Sequence, residues 1–334
     1  MADNHFIKNN DISPGLRLTG AVIRWIFPYF KEKTFLKINK FMDHFMKGLW
    51  LSTSTKVQTV YLKRADGTKL RVLVSRSRKA QPKKAVTGLL WIHGGGYAIG
   101  LPEQDCRFST LFTKDASCVA VLPDYTRSTE APYPAALEDC YLTLRWMHKN
   151  AEDLGMDKTQ LFVGGDSAGG GLTAALCLYA RDKGEVPIAF QMPLYPMLDD
   201  REITKSSKNN DAPVWNTESN RAGWELYLKG IPKDEVPGYA APARATDLNG
   251  LPPACTYMGT IEPFHDETVD YFSRLNAAGI HVHLKEFSGC FHAFDIVAPG
   301  SKAAKEARTF LLDTFKYAQE HYWGDPTSSP HMVR

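Results

Sequence analysis

The sequence predicts an α/β protein with a mostly parallel central sheet, helices on both faces and a helical cap. Three observations predict it. After residue 85, short apolar runs of strand length alternate with longer segments of helical periodicity, and uninterrupted apolar strands are typical of a sheet covered on both faces. A polar, proline-rich excursion at 199–250 breaks this alternation. The 334 residues only slightly exceed the usual size of one hydrophobic core, so we expect one domain with insertions.

The predicted elements follow one another in a regular order. Apolar residues at helical spacing between 16 and 50 indicate two or three short helices, and a β-hairpin is predicted from 57–62 and 70–74 around the turn at 65–67. Further strands are predicted at 88–92, 118–122, 161–163, 188–192, 254–258 and 282–287. Helices are predicted at 133–150, 168–182, 264–278 and 303–321.

The excursion at 199–250 is predicted to be an ordered lid, because it carries aromatic residues and one helical stretch, 218–229. We expect it to cover the carboxyl edge of the sheet together with the N-terminal helices. The predicted organisation is therefore cap helices at 1–50, a first part of the core at 51–198, a cap insertion at 199–250 and a second part of the core at 251–334.

Composition excludes several classes of protein. The net charge of +3 is small, and no basic run is interleaved with stacking aromatics, so no nucleic-acid partner is expected. The most apolar early stretch, 21–30, contains Arg24 and Pro28 and is too short to span a bilayer, so an amphipathic helix without a stable membrane anchor is predicted. The sequence leaves open whether two copies form a homodimer.

The six cysteines are widely spaced, and no C-x-x-C pair indicates a metal or a dithiol redox centre. We therefore expect neither a metal nor an organic cofactor. The N-terminus lacks the basic start and apolar core of a secretory signal, so a reducing cytoplasmic location is expected.

A G-x-S-x-G motif, 165–169, lies between a predicted strand and a predicted helix. By itself the motif is weak, but this context resembles the nucleophile turn of α/β-hydrolases, where glycines permit a sharp bend that exposes a serine. The helix N-terminus beside Ser167 would stabilise a developing oxyanion. Ser167 is therefore the candidate nucleophile.

A second motif, His93-Gly94-Gly95-Gly96, directly follows the strand predicted at 88–92. Such a loop is known to supply oxyanion-hole donors in lipases and esterases, because glycines let the backbone approach the reacting oxygen. A phosphate-binding glycine loop is the alternative, but the Lys-Ser/Thr ending of a P-loop is missing. His93 is interpreted as a structural residue that bonds the loop backbone.

In α/β-hydrolases the acid and then the histidine follow the nucleophile along the chain. His292 alone among the later histidines occupies a loop just after the last predicted strand, and it is the candidate base. The others are His265, His281, His283, His321 and His331.

The candidate acid lies after the strand predicted at 254–258, where the chain offers Glu262, Asp266 and Glu267. Glu262 is closest to the strand end and is favoured as the group that orients the imidazole. Asp266 falls one turn into the next helix, with Pro263 as its expected first residue, and is interpreted as a cap or dipole partner. Asp266 stays open as the alternative acid.

Together these segments resemble the hormone-sensitive-lipase family of esterases. The resemblance extends from about residue 89 to 294 and includes 93–96, 124–125, 134–139, 165–170 and 291–294. It implies Ser167 as nucleophile, His292 as base, and the N–H groups of Gly95, Gly96 and Ala168 as the oxyanion hole. Where the family normally has Asp in the triad, this chain has Glu262.

The motifs and the resemblance predict a carboxylic-ester hydrolase acting on a small-molecule ester with short to medium acyl groups, through an acyl-enzyme. An amidase or formamidase on the same scaffold is one alternative. A receptor that binds small molecules without catalysis is another, although the presence of His292 favours an enzyme. Aromatic side chains predicted to line the substrate pocket, or to be plain core, are Phe30, Trp215, Trp224 and Tyr227.

Overall fold

The computed structural model describes residues 6–79 and 84–324 and contains one eight-stranded sheet. Its strands are β1 (Thr55–Lys63), β2 (Lys69–Ser77), β3 (Val86–Ile92), β4 (Val119–Pro123), β5 (Met156–Asp166), β6 (Phe190–Leu194), β7 (Ala254–Gly259) and β8 (Val282–Phe287). The spatial order is β1-β2-β4-β3-β5-β6-β7-β8. Strand β2 pairs antiparallel with β1 and β4, and the remaining pairs are parallel. The predicted fold class is confirmed.

Helices lie on both faces of the sheet and around its edge. They are α1 (Arg17–Ile26), α2 (Glu32–Phe45), α3 (Cys106–Asp115), α4 (Ala135–Lys149), α5 (Ala168–Lys183), α6 (Thr217–Tyr227), α7 (His265–Ala277), α8 (Phe294–Val297) and α9 (Lys302–His321). Among the described residues, no helix combines the length and the apolarity needed to cross a membrane.

The apolar runs that predicted the strands are continuous because both sides of the sheet are buried. In β5, Leu161 and Val163 belong to the core on the α4 and α5 side, whereas Phe162 points to the opposite core. There Phe162 packs edge-on against Phe315 of α9, which also contacts Phe112 of α3. Successive side chains of one strand thus fill two separate cores.

Several local features differ from the prediction: for example, helix α8 was not predicted, and β5 begins at Met156 instead of 161. Helix α3 was not predicted, because its stretch is polar apart from a few residues; its inward face consists mainly of Phe108 and Phe112, one turn apart, on the sheet. Strand β6 extends two residues beyond its predicted end at 192. Pro193 disfavours a central strand because it lacks an N–H donor, yet it pairs with Gly165 in the parallel ladder.

The N-terminal helices and the excursion at 199–250 pack together at the carboxyl end of the sheet. The Phe30 N–H donates to Ser219 Oγ (2.9 Å), and the Phe30 and Phe35 rings stack on Trp215. Helix α6, which begins one residue before the predicted stretch and ends two residues before its end, is capped by Asn216, whose side chain accepts the N–H of Ser219. The excursion is thus ordered around an aromatic contact with the start of the chain.

The register of β3 against β5 brings two loops together. Ile92, the last residue of β3, is paired with Gly165 near the end of β5. Because the strands are parallel, the segments that leave them emerge side by side at the carboxyl edge. These segments are the glycine-rich loop from His93 and the turn at Ser167.

Candidate active site

Ser167 lies on a tight turn between β5 and α5, with φ +56° and ψ −121°. This region is rarely populated by residues with a side chain and costs on the order of 1–3 kcal/mol. Backbone hydrogen bonds offset the cost, since the Ser167 N–H donates to the Leu194 carbonyl (3.0 Å) and the Gly171 N–H donates to the Ser167 carbonyl (2.9 Å).

The flanking glycines are required by close approach of the backbone. A Cβ atom at Gly165 would lie 2.4 Å from the Ile92 carbonyl oxygen, and one at Gly169 would lie 2.0 Å from the same atom. Neither distance is possible without moving the backbone. The turn therefore presses against the end of β3 at a spacing that only glycine allows.

The candidate nucleophile, base and acid are brought together. Ser167 Oγ lies 2.8 Å from His292 Nε2, and His292 Nδ1 hydrogen-bonds the Glu262 carboxylate. The second oxygen of Glu262 accepts the N–H of Gly259 (2.8 Å), at the end of β7. Because Glu262 accepts at Nδ1, the imidazole carries its proton there and leaves Nε2 as an acceptor for the serine hydroxyl.

The site is shielded from water. Glu262 is 0% exposed and His292 3%, and the imidazole packs edge-on against the rings of Tyr195 and Phe264. In a dry site of this kind, a charge on the imidazole would interact strongly with the carboxylate beside it.

Asp266, the alternative acid, lies elsewhere. Its carboxylate accepts the N–H of Ser206 (2.9 Å) and contacts His265 Nδ1 (2.8 Å). Helix α7 begins at His265, so the expectation that Pro263 is its first residue is wrong. Asp266 still falls in the first turn of the helix, where the negative charge of an acidic side chain interacts favourably with the positive end of the helix dipole.

His93 and three of the other later histidines make contacts within the fold. His93 Nδ1 contacts the Gly94 carbonyl (2.9 Å), as expected for a residue that bonds the loop backbone, and burial lowers the pKa of His93 to about 4. His281 and His283 both contact the Tyr322 hydroxyl, and His321 stacks on a tyrosine ring of α9. His331 lies outside the described residues.

The glycine-rich loop presents free backbone donors. Gly95 and Gly96 have φ of +122° and +58°, and within the described ranges their N–H groups donate to no acceptor of the chain. Ala168 is the first residue of α5, so its N–H has no helical partner either. These three donors are the ones that the sequence predicted for an oxyanion hole.

An indole ring lies against this loop. A Cβ atom at Gly96 would be 2.2 Å from the Trp215 ring, on which Phe30 stacks. Trp224 and Tyr227 instead pack around Tyr97, and all three are buried. Of the four predicted aromatic residues, Trp215 therefore lies beside the loop with Phe30 stacked on it, and Trp215, Trp224 and Tyr227 all belong to one buried core.

Two buried carboxyl groups, those of Asp166 and Asp105, lie next to the glycine-rich loop and the strand that leads into it. The Gly94 N–H donates to Asp166 Oδ1 (3.0 Å), and Trp91 Nε1 donates to Asp105 Oδ2 (2.8 Å). The two carboxyls also hydrogen-bond each other, so one of them carries a proton. Burial raises the pKa of Asp166 to about 6 and that of Asp105 well above its usual range.

The sequence did not reveal this carboxyl pair as part of the site. Asp166 stands inside the G-x-S-x-G motif, but the motif does not require an acid there, and Asp105 lies far away along the chain. The only available signal was an aspartate in a segment that must be buried.

Within the described residues, no group of three His, Cys, Asp or Glu side chains has the geometry to hold a metal ion.

Comparisons with known proteins identify the family and the fold of the chain. A sequence model described as the α/β-hydrolase fold matches residues 89–296. The chain is 34% identical over 236 residues to the carboxylesterase NlhH of Mycobacterium tuberculosis, covering 69% of this chain and 73% of the relative. It is 27% identical to the ethyl acetate hydrolase of Pseudomonas putida, covering 77% and 80%. Among solved structures, a bacterial heroin esterase matches with a TM-score of 0.84 and 32% identity over 93% of this chain and 98% of the other.

Fold and site together define an enzyme of the carboxylesterase class, as predicted. The chain belongs to the α/β-hydrolase fold family, and its predicted resemblance to the hormone-sensitive-lipase group within that family is confirmed.

The carboxyl pair generates a prediction on pH and stability. A carboxyl whose pKa is raised by folding is destabilising above its unfolded pKa of about 4, and increasingly so until the folded pKa is passed. Asp105→Asn is neutral at every pH and can still donate to Asp166 and accept from Trp91. We expect its Tm, relative to that of the wild type, to rise progressively between pH 5 and pH 9, as measured by thermal unfolding.

The matched control is Asp270→Asn, which changes an exposed carboxylate. Its Tm difference from the wild type should stay nearly constant over the same range. Parallel pH profiles for Asp105→Asn and the wild type would contradict a shared proton at this position.

Proposed function

We propose that the chain hydrolyses carboxylic esters by acyl transfer, with Ser167 as nucleophile, His292 as general base and Glu262 as the acid that orients it. The observation that carries the proposal is the 2.8 Å contact of Ser167 Oγ with His292 Nε2. The other ring nitrogen of this imidazole, Nδ1, hydrogen-bonds the buried Glu262 carboxylate. This constellation is recognised by geometry and not by position in the sequence.

In the first step, Ser167 Oγ attacks the ester carbonyl carbon while His292 Nε2 takes the hydroxyl proton. The carbonyl oxygen becomes an oxyanion, and the N–H groups of Gly95, Gly96 and Ala168 are positioned to donate to it. The tetrahedral intermediate then expels the alcohol, which receives the proton from Nε2. The product is an ester of Ser167, the acyl-enzyme.

In the second step, water attacks the acyl-enzyme as His292 takes its proton. The second tetrahedral intermediate breaks to release the carboxylic acid, and Nε2 returns the proton to Ser167 Oγ. Glu262 stays ionised and stabilises the imidazolium that forms twice in the cycle. Its bond to the Gly259 N–H holds the carboxylate in position.

We propose a short to medium acyl group for the substrate. Trp215 lies against Gly96 and is backed by Phe30, so a bulky aromatic wall stands beside the oxyanion loop. One relative is an ethyl acetate hydrolase, which supports a small ester as substrate. Hydrolysis of p-nitrophenyl esters should be fastest below about eight acyl carbons, a limit set by pocket volume; a rate that increases steadily to palmitate would contradict the proposal.

Ser167→Ala tests the nucleophile. With an activated ester, the wild type should release a burst of p-nitrophenol equal to the enzyme concentration if deacylation is slow, and the variant should lose at least about 10⁴-fold in kcat. A fluorophosphonate probe should label the wild type at Ser167 and leave the variant unlabelled, as read by peptide mass spectrometry. Full activity or labelling in the variant would exclude Ser167.

The choice between the two acids is tested by a matched pair of amide substitutions. Glu262→Gln should lower kcat about 10³-fold, because the amide no longer stabilises the imidazolium or fixes its tautomer. Asp266→Asn, four residues away, should stay within about threefold of the wild type, since Asp266 contacts Ser206 and His265 instead. Steady-state kinetics and Tm are measured together; the reverse order of effects would assign the acid to Asp266.

We also propose a cytoplasmic location. All six cysteines are free thiols and five of them are buried, a state that a reducing compartment preserves. Cell fractionation after fluorophosphonate labelling should recover the probe with cytoplasmic markers. Recovery mainly from the medium would contradict this location.

A further inference from the structure

Helix α1 turns its apolar side away from the protein. Leu18, Val22, Trp25 and Ile26 recur at the spacing of a single helical face, and all four are exposed, Leu18 by 80% and Trp25 by 85%. The opposite side of the helix carries Gly20 and Arg24. An apolar helix face normally lies against the core, so this orientation leaves α1 with an unpartnered surface.

The inward side of α1 is fixed by specific contacts. A Cβ atom at Gly20 would lie 3.1 Å from the Phe291 ring and from Pro213, which shows how closely the helix approaches the body of the protein. Arg24 donates to the carbonyl oxygens of Ile7 and Asp211. The outward direction of the apolar stripe is therefore imposed by the packing of its opposite side.

The outer side of α2 is cationic with an aromatic edge. Lys33, Lys37 and Lys40 lie on the exposed side, and Phe41 and Phe45 lie next to them, 57% and 60% exposed, with their rings 4.9 Å apart. Within the described chain, no carboxylate lies at ion-pair distance from these three lysines.

Exposed apolar side chains and positive charge are both concentrated in this part of the chain. Twelve of the nineteen large apolar side chains that are exposed in the described ranges fall between 6 and 51. From 12 to 51 the sequence has seven Lys and Arg against two Asp and Glu, a net charge of +5, whereas the rest of the chain has −2. Surface apolar residues are normally scattered singly, and a concentration of this size indicates an interaction site.

Both helices rest on the loops that carry the candidate active site. Helix α1 contacts Phe291, the neighbour of His292. In α2, the Asn39 side chain donates to the Ala98 carbonyl (2.8 Å), just after the glycine-rich loop. Their outer sides therefore face away from the carboxyl edge of the sheet, and we refer to the exposed residues of α1 and α2 together as the outer helical surface.

We propose that the outer helical surface binds reversibly to the interface of an anionic lipid bilayer. Lysines beside exposed Trp, Phe and Leu are the combination that inserts its apolar part among acyl chains while the ammonium groups meet lipid phosphates. Contact of two copies of the chain through this surface would bring three unpaired lysines of each close to those of the other. A bilayer with negative headgroups satisfies both the charge and the apolar area.

The experiment measures binding to vesicles by flotation, with vesicles of phosphatidylcholine alone and vesicles in which about one third of the lipid is phosphatidylglycerol. The wild type should bind the anionic vesicles at least about tenfold more tightly, and added salt should weaken binding. Leu18→Gln/Trp25→Gln and Lys33→Glu/Lys37→Glu/Lys40→Glu should each lose at least about tenfold in affinity.

Matched controls lie on the β1–β2 hairpin. Tyr61→Gln removes an aromatic ring that is 61% exposed, and Lys56→Glu/Lys63→Glu/Lys69→Glu reverses the same number of charges as the α2 variant. Both should bind anionic vesicles within about twofold of the wild type. Hydrolysis of a water-soluble ester should change less than about twofold in all variants, so vesicle binding is tested independently of the proposed catalytic mechanism.

Several outcomes would overturn the proposal. Failure of the wild type to bind either vesicle would do so, as would equal binding to both, or losses in the hairpin controls as large as those in α1 and α2. Sedimentation of the wild type as a dimer that Leu18→Gln/Trp25→Gln converts to monomer, without vesicle binding, would assign the surface to a second copy of the chain instead.

Discussion

The close contact between the end of β3 and the turn at Ser167 is the constraint on which the site depends. Gly165 and Gly169 let this turn approach the Ile92 carbonyl to a distance that any side chain would prevent. The same contact puts the glycine-rich loop next to the serine, because that loop is the direct continuation of β3. One backbone approach thus positions both the candidate nucleophile and the backbone donors proposed for the oxyanion, and the loops after β7 and β8 bring Glu262 and His292 to them.

The buried carboxyl pair of Asp105 and Asp166 also helps to fix the position of the glycine-rich loop. Gly94 has its N–H bound to Asp166, so the loop is held at its first glycine while the following N–H groups stay free. Two carboxylates would repel each other in this dry site, and a shared proton replaces the repulsion with a hydrogen bond.

The sequence predicted the sheet, most helices and the residues that meet at the site, for reasons that are local. Gly165, Gly169 and the glycines after His93 are demanded by backbone geometry, and such demands are visible in short motifs. Asp105 was not found because its partner Asp166 is distant along the chain, and only the fold brings them together. Helix α3 was missed for a similar reason: two phenylalanines suffice to bury it against the sheet, but too few apolar residues remain to form a clear pattern.

The N-terminal helices show a further limit of periodicity. The apolar spacing in α1 predicted an amphipathic helix, and a helix is present, yet the apolar stripe faces outward. Periodicity reports that apolar residues share one face; it does not say what that face contacts. Here Gly20 and Arg24 make the contact with the body of the protein, since glycine permits close approach and arginine satisfies two carbonyl groups. The apolar stripe is then left for a partner outside the chain, and the lysines of α2 favour one that is negatively charged.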